Sequence, residues 1–212
     1  MFRFKTLATA IAMTASISTL GSSFADTAKP SVVIVHGAFA DGSDWAKVVP
    51  LLQAQGIKVT VVQNPLTSLA EDVAATRRVL NNQAGDVVLV GHSWGGTVIS
   101  QVGTDAHVRG LVYVAAFAPD AGQASKDLGQ GYPTPPGISQ IAADGNGYLY
   151  LTPQGMATDF AQDLPKAQTD IMTATQGPIR ASAFEERTSA AAWSTKPSWY
   201  VVAGQDRMID PG

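Results

Sequence analysis

Asp86-Val-Val-Leu-Val-Gly-His-Ser-Trp-Gly-Gly-Thr97 is the stretch that decides the fold. Val87 to Val90 form a continuous apolar, largely β-branched run, the pattern of a strand buried on both faces of a parallel sheet. The run meets Gly91-His92-Ser93-Trp94-Gly95, a G-x-S-x-G pattern, and Thr97 to about Gly103 then continues as an apolar helix. The pattern alone is weak, since a chain of this length holds one by chance roughly one time in ten. Context carries the reading. Between a buried strand and a helix, a strained turn lifts the Ser93 hydroxyl out of the sheet. Strand and helix pass so close there that a Cβ at 91 or 95 would clash, while Ser93 bears the backbone strain. A helix beginning just after Ser93 also aims free N–H groups at an anion forming on its side chain. Ser93 is the candidate nucleophile.

The same strand and helix alternation extends outward on both sides. Ser31-Val-Val-Ile-Val35 is a second buried strand, Asp44 caps a helix expected to run to about Gln55, and Gly56 stops it. Lys58 to Val62 is a strand. Ser68 to Asn82 is a helix with Val73, Ala74, Val79 and Leu80 at helical spacing, and Gly110 to Ala115 is a fourth strand. Alternating elements of this length imply an α/β fold, a mostly parallel sheet with helices on both faces.

The alternation then breaks. Residues 117–197 contain no buried strand of that kind and many Gly and Pro, so they are expected to form a helical lid above the sheet. Thr152-Pro153 opens one lid helix carrying Met156 and Phe160, and Leu164-Pro165 opens another carrying Ile171 and Met172. A strand resumes at Ser198-Trp-Tyr-Val-Val-Ala203 and ends in Gly204-Gln205-Asp206.

The 212 residues, 45% hydrophobic and 15% charged, suit one globular domain and exclude a solvated, low-complexity chain. The net charge of −3, with its cations scattered, gives no footprint for nucleic acid. No cysteine means no disulfide framework, no thiolate nucleophile and no cysteine-based metal site. Arg3 and Lys5, the apolar run Leu7 to Leu20, and Ser23-Phe24-Ala25 read as a signal peptide cleaved after Ala25. The expected domain is then 26–212, exported to a bacterial periplasm or the medium, with no membrane attachment in its mature form.

Further candidates gather at the carboxyl edge of the sheet, where open α/β folds place their ligands. His36-Gly37-Ala38 follows the first strand, so the backbone N–H groups of Ala38 and Trp94 can converge as an oxyanion hole. His36 is expected to brace its loop, His92 to turn its ring away from Ser93, and His107 to sit at the surface. Asp206 follows the last strand at the same edge, where a carboxylate can orient a catalytic imidazolium; Asp210 is its substitute.

On Val35-His36-Gly37-Ala38, Gly91-His92-Ser93-Trp94-Gly95-Gly96 and Ala203-Gly204-Gln205-Asp206-Arg207, the chain resembles the lidded esterase and hydroxynitrile-lyase-like branch of the α/β-hydrolases. The resemblance implies Ser93 as nucleophile, Ala38 and Trp94 as oxyanion donors, Asp206 as triad acid, and no cofactor or metal. It also implies a catalytic His beyond the acid, after one more helix and strand. The expectation is therefore a C-terminally incomplete chain, impaired as an enzyme. The leading expected activity is a serine carboxylesterase on small uncharged esters. Lactonase, thioesterase, lyase and haloperoxidase chemistry stay open, and a non-catalytic small-ligand binder is the rival. Oligomeric state is not readable from these residues.

Overall fold

The computed structural model describes residues 29–212. The expected leader, with Arg3, Lys5 and the cut after Ala25, lies outside the described residues. In chain order the sheet-and-helix part comprises β1 (Ser31–Val35), α1 (Val49–Ala54), β2 (Val59–Val62), α2 (Leu69–Leu80), β3 (Val87–Ser93), α3 (Trp94–Val102) and β4 (Val108–Ala116). The lid follows with β5 (Ile141–Ala143), β6 (Tyr148–Leu151), α4 (Pro153–Gly155), α5 (Lys166–Thr175) and β7 (Ile179–Arg180), and β8 (Ser198–Val201) returns to the main sheet.

The main sheet has the order β2-β1-β3-β4-β8, every pair parallel. Val32 to Val35 are all buried, as the unbroken apolar run of β1 requires. In β3, Val87 and Leu89 are fully buried while Val88 and Val90 are half-buried. α3 is buried nearly all round, with Trp94, Val98, Ile99 and Val102 at 0% exposure. Its polar side chains are matched internally: Thr97 pairs with Ser125 at 2.6 Å and Ser100 with the Tyr113 hydroxyl at 2.8 Å.

Three expectations change in detail. β3 runs on to Ser93 and α3 starts at Trp94, because the reversal is confined to one residue, Ser93, at φ 50° and ψ −120°. The helix expected from Asp44 to Gln55 is two pieces. A 3-10 turn, Gly42–Trp45, is capped by Asp41, whose carboxylate accepts from Ser43 N at 2.5 Å. α1 begins afresh at Val49 with Pro50 in its first turn, since proline has no N–H to continue the preceding helix.

The third correction concerns the lid, which is not helical throughout. It carries a three-stranded antiparallel sheet, β5-β6-β7, alongside the helices that begin at Pro153 and after Pro165. The hairpin turn explains it. Asp144 Oδ1 accepts from Asn146 N at 2.8 Å and Tyr148 N at 2.9 Å, and Gly147 takes φ +82°. α4 passes directly into a π-helical turn, Met156–Phe160.

Candidate active site

The chain leaves β1 toward β2 and returns on the other side with β3, so the loops after β1 and β3 diverge and open a crevice at the carboxyl edge. Ser93 ends β3, and His36-Gly37-Ala38 follows β1. A Cβ on Gly37 would lie 2.8 Å from Ser93 Cβ, and one on Gly91 would lie 2.7 Å from Gly95 O. A Cβ on Gly95 would collide with Val35 O. The glycines are therefore what lets β1, β3 and the start of α3 meet at one serine.

Ser93 stands in the left-handed half of φ/ψ space, where a non-glycine residue costs on the order of 1–3 kcal/mol. Around it, Ala38 is 2% and Trp94 0% exposed. No described residue accepts a hydrogen bond from the backbone N–H of either. Buried backbone donors left unpaired are rare, which makes these two N–H groups the candidates for holding an anion beside Ser93.

Ser93 opens on a cavity of about 450 Å³ also lined by His92, Ala115, Phe160, Gln162 and Asp206. Asp206 Oδ1 accepts from Met208 N at 2.8 Å and Ile209 N at 3.0 Å, which orients the carboxylate at the head of its turn. Asp210 does not line this cavity. It opens on a neighbouring one of about 510 Å³, together with Phe117, Tyr132 and Ile138, and Met208 and Ile209 form the wall between the two. Of the lid residues with apolar reach, Phe160 lines the Ser93 cavity, Met156 is fully buried as packing, and Tyr148 lies under the Arg180 guanidinium.

The three histidines occupy different environments. His36 is braced as expected: Nε2 accepts from Asn64 N at 3.0 Å, so the proton sits on Nδ1, which donates to Gly37 O at 2.9 Å. Burial holds its pKa below the usual imidazole value. His107 is at the surface beside Asp105. His92 departs from expectation. Its ring forms part of the Ser93 cavity wall, edge-on to Phe160 with centroids 6.0 Å apart, and makes no hydrogen bond to Ser93. Desolvation pushes its pKa down to about 4 despite the nearby Asp206 carboxylate, which acts in the opposite sense.

Two acids escape the sequence reading. Asp72, at 0% exposure in α2, accepts the Trp94 indole N–H at 2.7 Å. Asp159, in the π-helical turn, pairs with Arg207 at 2.7 Å. The available signal for Asp72 was an acid on the apolar stripe Leu69, Val73, Thr76 and Leu80. Asp159 offered none, because its partner lies far away in the chain. Among the described residues no group of His, Cys, Asp and Glu is arranged to hold a metal, and no helix is long and apolar enough to cross a membrane.

Residues 32–212 match the family model of the alpha/beta hydrolase family. Alpha/beta hydrolase nvfD of Aspergillus novofumigatus is 27% identical over 203 residues, 85% of this chain and 80% of that protein. A carbendazim-hydrolyzing esterase of a Nocardioides species is 26% identical over 226 residues, 84% of this chain and 93% of that protein. Among solved structures, an extracellular alpha/beta-hydrolase from a Paenibacillus species superposes with a TM-score of 0.72 at 21% identity, covering 87% of this chain and 81% of that one.

Proposed function

The chain belongs to the alpha/beta hydrolase family, and on that premise we propose that it is an exported serine carboxylesterase acting on small, mostly uncharged esters. The observation that carries the reading is Ser93 at φ 50° between β3 and α3, flanked by the unpaired, buried N–H groups of Ala38 and Trp94. Ser93 Oγ attacks the ester carbonyl carbon as its proton passes to a base. The carbonyl oxygen becomes an oxyanion held between the Ala38 and Trp94 N–H groups. The C–O bond to the alkoxy group breaks, the alcohol leaves with a proton, and water then cleaves the acyl-enzyme to release the acid.

Asp206 is the acid that would orient an imidazole base, and its place on the Ser93 cavity wall favours it over Asp210. Within residues 29–212 no imidazole bonds to Ser93. The cavity wall supports the exclusion of anionic substrates, since Asp163 and Asp206 oppose an anionic ligand, and Phe160, Met208 and Ile209 give it an apolar lining. Export rests on the charged start, apolar run and small residues of positions 1–25.

The test is turnover of a panel of short p-nitrophenyl esters by the wild type and by Ser93→Ala. Release of p-nitrophenolate abolished in the variant supports the esterase. The uncommitted Ser93 also favours one second reading, a ligand-binding homologue. A ligand-induced rise in Tm without turnover would select it.

A further inference from the structure

Asp72 is a carboxylate with no exposure to water, set among Leu69, Val73 and Thr76 on the inner side of α2. Each of its oxygens takes one strong donor. Oδ2 accepts the Trp94 indole Nε1–H at 2.7 Å, and Oδ1 accepts the backbone N–H of Leu66 at 2.8 Å. Trp94 is the residue after Ser93 and carries one of the two proposed oxyanion donors on its backbone.

Leu66 leads to the other. It holds φ 58°, a conformation an L-residue keeps only when its surroundings impose it. A Cβ on Gly177 would lie 2.6 Å from Leu66 Cδ1, so the two are in close contact. Gly177 in turn grips the loop after β1 from both sides: its carbonyl accepts Phe39 N at 3.1 Å and its N–H donates to Ala40 O at 3.3 Å. Ala38, the second proposed donor, is the residue before that grip.

On the esterase reading given above, we infer that Asp72 is a positioning residue, its carboxylate bridging the two halves of the oxyanion hole by holding Trp94 with one oxygen and the Leu66–Gly177 support of the Ala38 loop with the other. Only an ionised carboxylate can accept both bonds without turning one oxygen into a donor. The charged groups that face it are Glu71 on its own helix and Glu186, whose carboxylate accepts Leu69 N at 3.1 Å. Burial is the largest influence on Asp72, the two acids add to it, and together they push its pKa up to about 6. The bridge therefore closes as pH rises through that value.

Diethyl p-nitrophenyl phosphate tests this on the full chain without needing turnover. Ser93 Oγ attacks phosphorus, p-nitrophenolate leaves, the serine proton goes to solvent, and the phosphoryl oxygen occupies the oxyanion hole. Asp72→Asn should lower the maximal inactivation rate by on the order of ten- to a hundredfold while the inhibitor's half-saturation concentration moves by less than about twofold. Trp94→Phe, which deletes only the indole donor, should shift the rate in the same direction. Equal rates in Asp72→Asn and wild type, or rate and half-saturation changing together, would overturn the inference. Absence of any modification of wild-type Ser93 would instead overturn the nucleophile reading. Should Asp72→Asn fail to fold, the Trp94 Nε1–H resonance of the wild type decides. Held on Asp72 Oδ2 at 2.7 Å, this N–H should exchange slowly with solvent and move with a midpoint near the Asp72 value of about 6, and an N–H that exchanges as fast as that of an exposed tryptophan overturns the bridge.

Discussion

Arg207 Nε donates to Asp159 Oδ1 at 2.7 Å, joining the segment just after Asp206 to the π-helical turn of the lid. The Asp159 side chain is 5% exposed and its other oxygen accepts the Thr158 hydroxyl at 2.7 Å. The Arg207 carbonyl accepts Gly137 N at 2.9 Å, so one residue clamps the lid at two points. The position of the proposed triad acid is thus tied to the lid above it.

Arg207→Ala should therefore destabilise the chain by about 1–3 kcal/mol, because it leaves a buried carboxylate without its cation. The half-exposed guanidinium keeps the cost below that of a fully buried pair. Urea unfolding checks this. A midpoint unchanged from wild type would mean that the clamp contributes nothing. Asp159→Asn, which keeps a hydrogen-bond acceptor, should cost less than Arg207→Ala.

Ser93→Gly should stabilise the protein while abolishing labelling by serine-directed phosphonates. Glycine adopts φ 50° freely, relieving about 1–3 kcal/mol of backbone strain against about 0.5–1 kcal/mol of extra unfolded-chain entropy. Ser93→Ala keeps the strain and should leave stability near wild type. A lower urea midpoint for Ser93→Gly than for Ser93→Ala would show that the turn is not strained.

Gly95→Ala should cost more than about 3 kcal/mol, since the obstacles to its Cβ are the backbone carbonyls of Val35 and His36, which cannot rotate aside. Gly85→Ala is the control. Its Cβ would meet nothing within 4 Å, so Tm should stay close to wild type. Comparable Tm values for the two variants would mean that α3 does not seat on β1 as closely as described.

His92 and Asp72 should make opposite contributions to the pH dependence of stability. The folded-state pKa of His92 is pushed down to about 4, from the ordinary imidazole value of 6.5. The unfolded chain then binds more protons, and the His92 contribution is lost as pH falls through this window. The Asp72 pKa rises to about 6, from 3.8, so its contribution is present at low pH and is lost as pH rises through that window. The stability difference between wild type and His92→Asn should grow by up to roughly 2–3 kcal/mol as pH increases from 4 to 6.5. Urea midpoints at several pH values check it, and a difference independent of pH would mean that His92 titrates normally in the fold.

Much of the architecture is legible in residues close together in the chain. The β-branched runs Ser31–Val35 and Val87–Val90 read as strands and form β1 and the start of β3, and Gly91 and Gly95 bracket Ser93 because a strand and helix meeting there leave no room for a Cβ. Ser68, which caps α2 through Glu71 N, and Gly56, at φ +73°, mark helix ends by the same local chemistry. The lid hairpin was missed because strands as short as Ile141–Ala143 and Ile179–Arg180 carry too few residues for a period of two to stand out.

By itself, then, the sequence determined the alternating strand and helix order, the strained serine turn, the bracing role of His36 and the two loops that meet at the carboxyl edge, since each follows from sterics or periodicity over a few neighbouring residues. Only the tertiary structure decided that Asp206 rather than Asp210 shares a cavity with Ser93, that His92 faces that cavity, and that Asp72 and Asp159 are paired acids in the interior. Asp72 and Trp94 are 22 residues apart, and Asp159 and Arg207 are 48 apart. A carboxylate's partner, burial and protonation depend on which distant segments pack against it, and no local pattern encodes that.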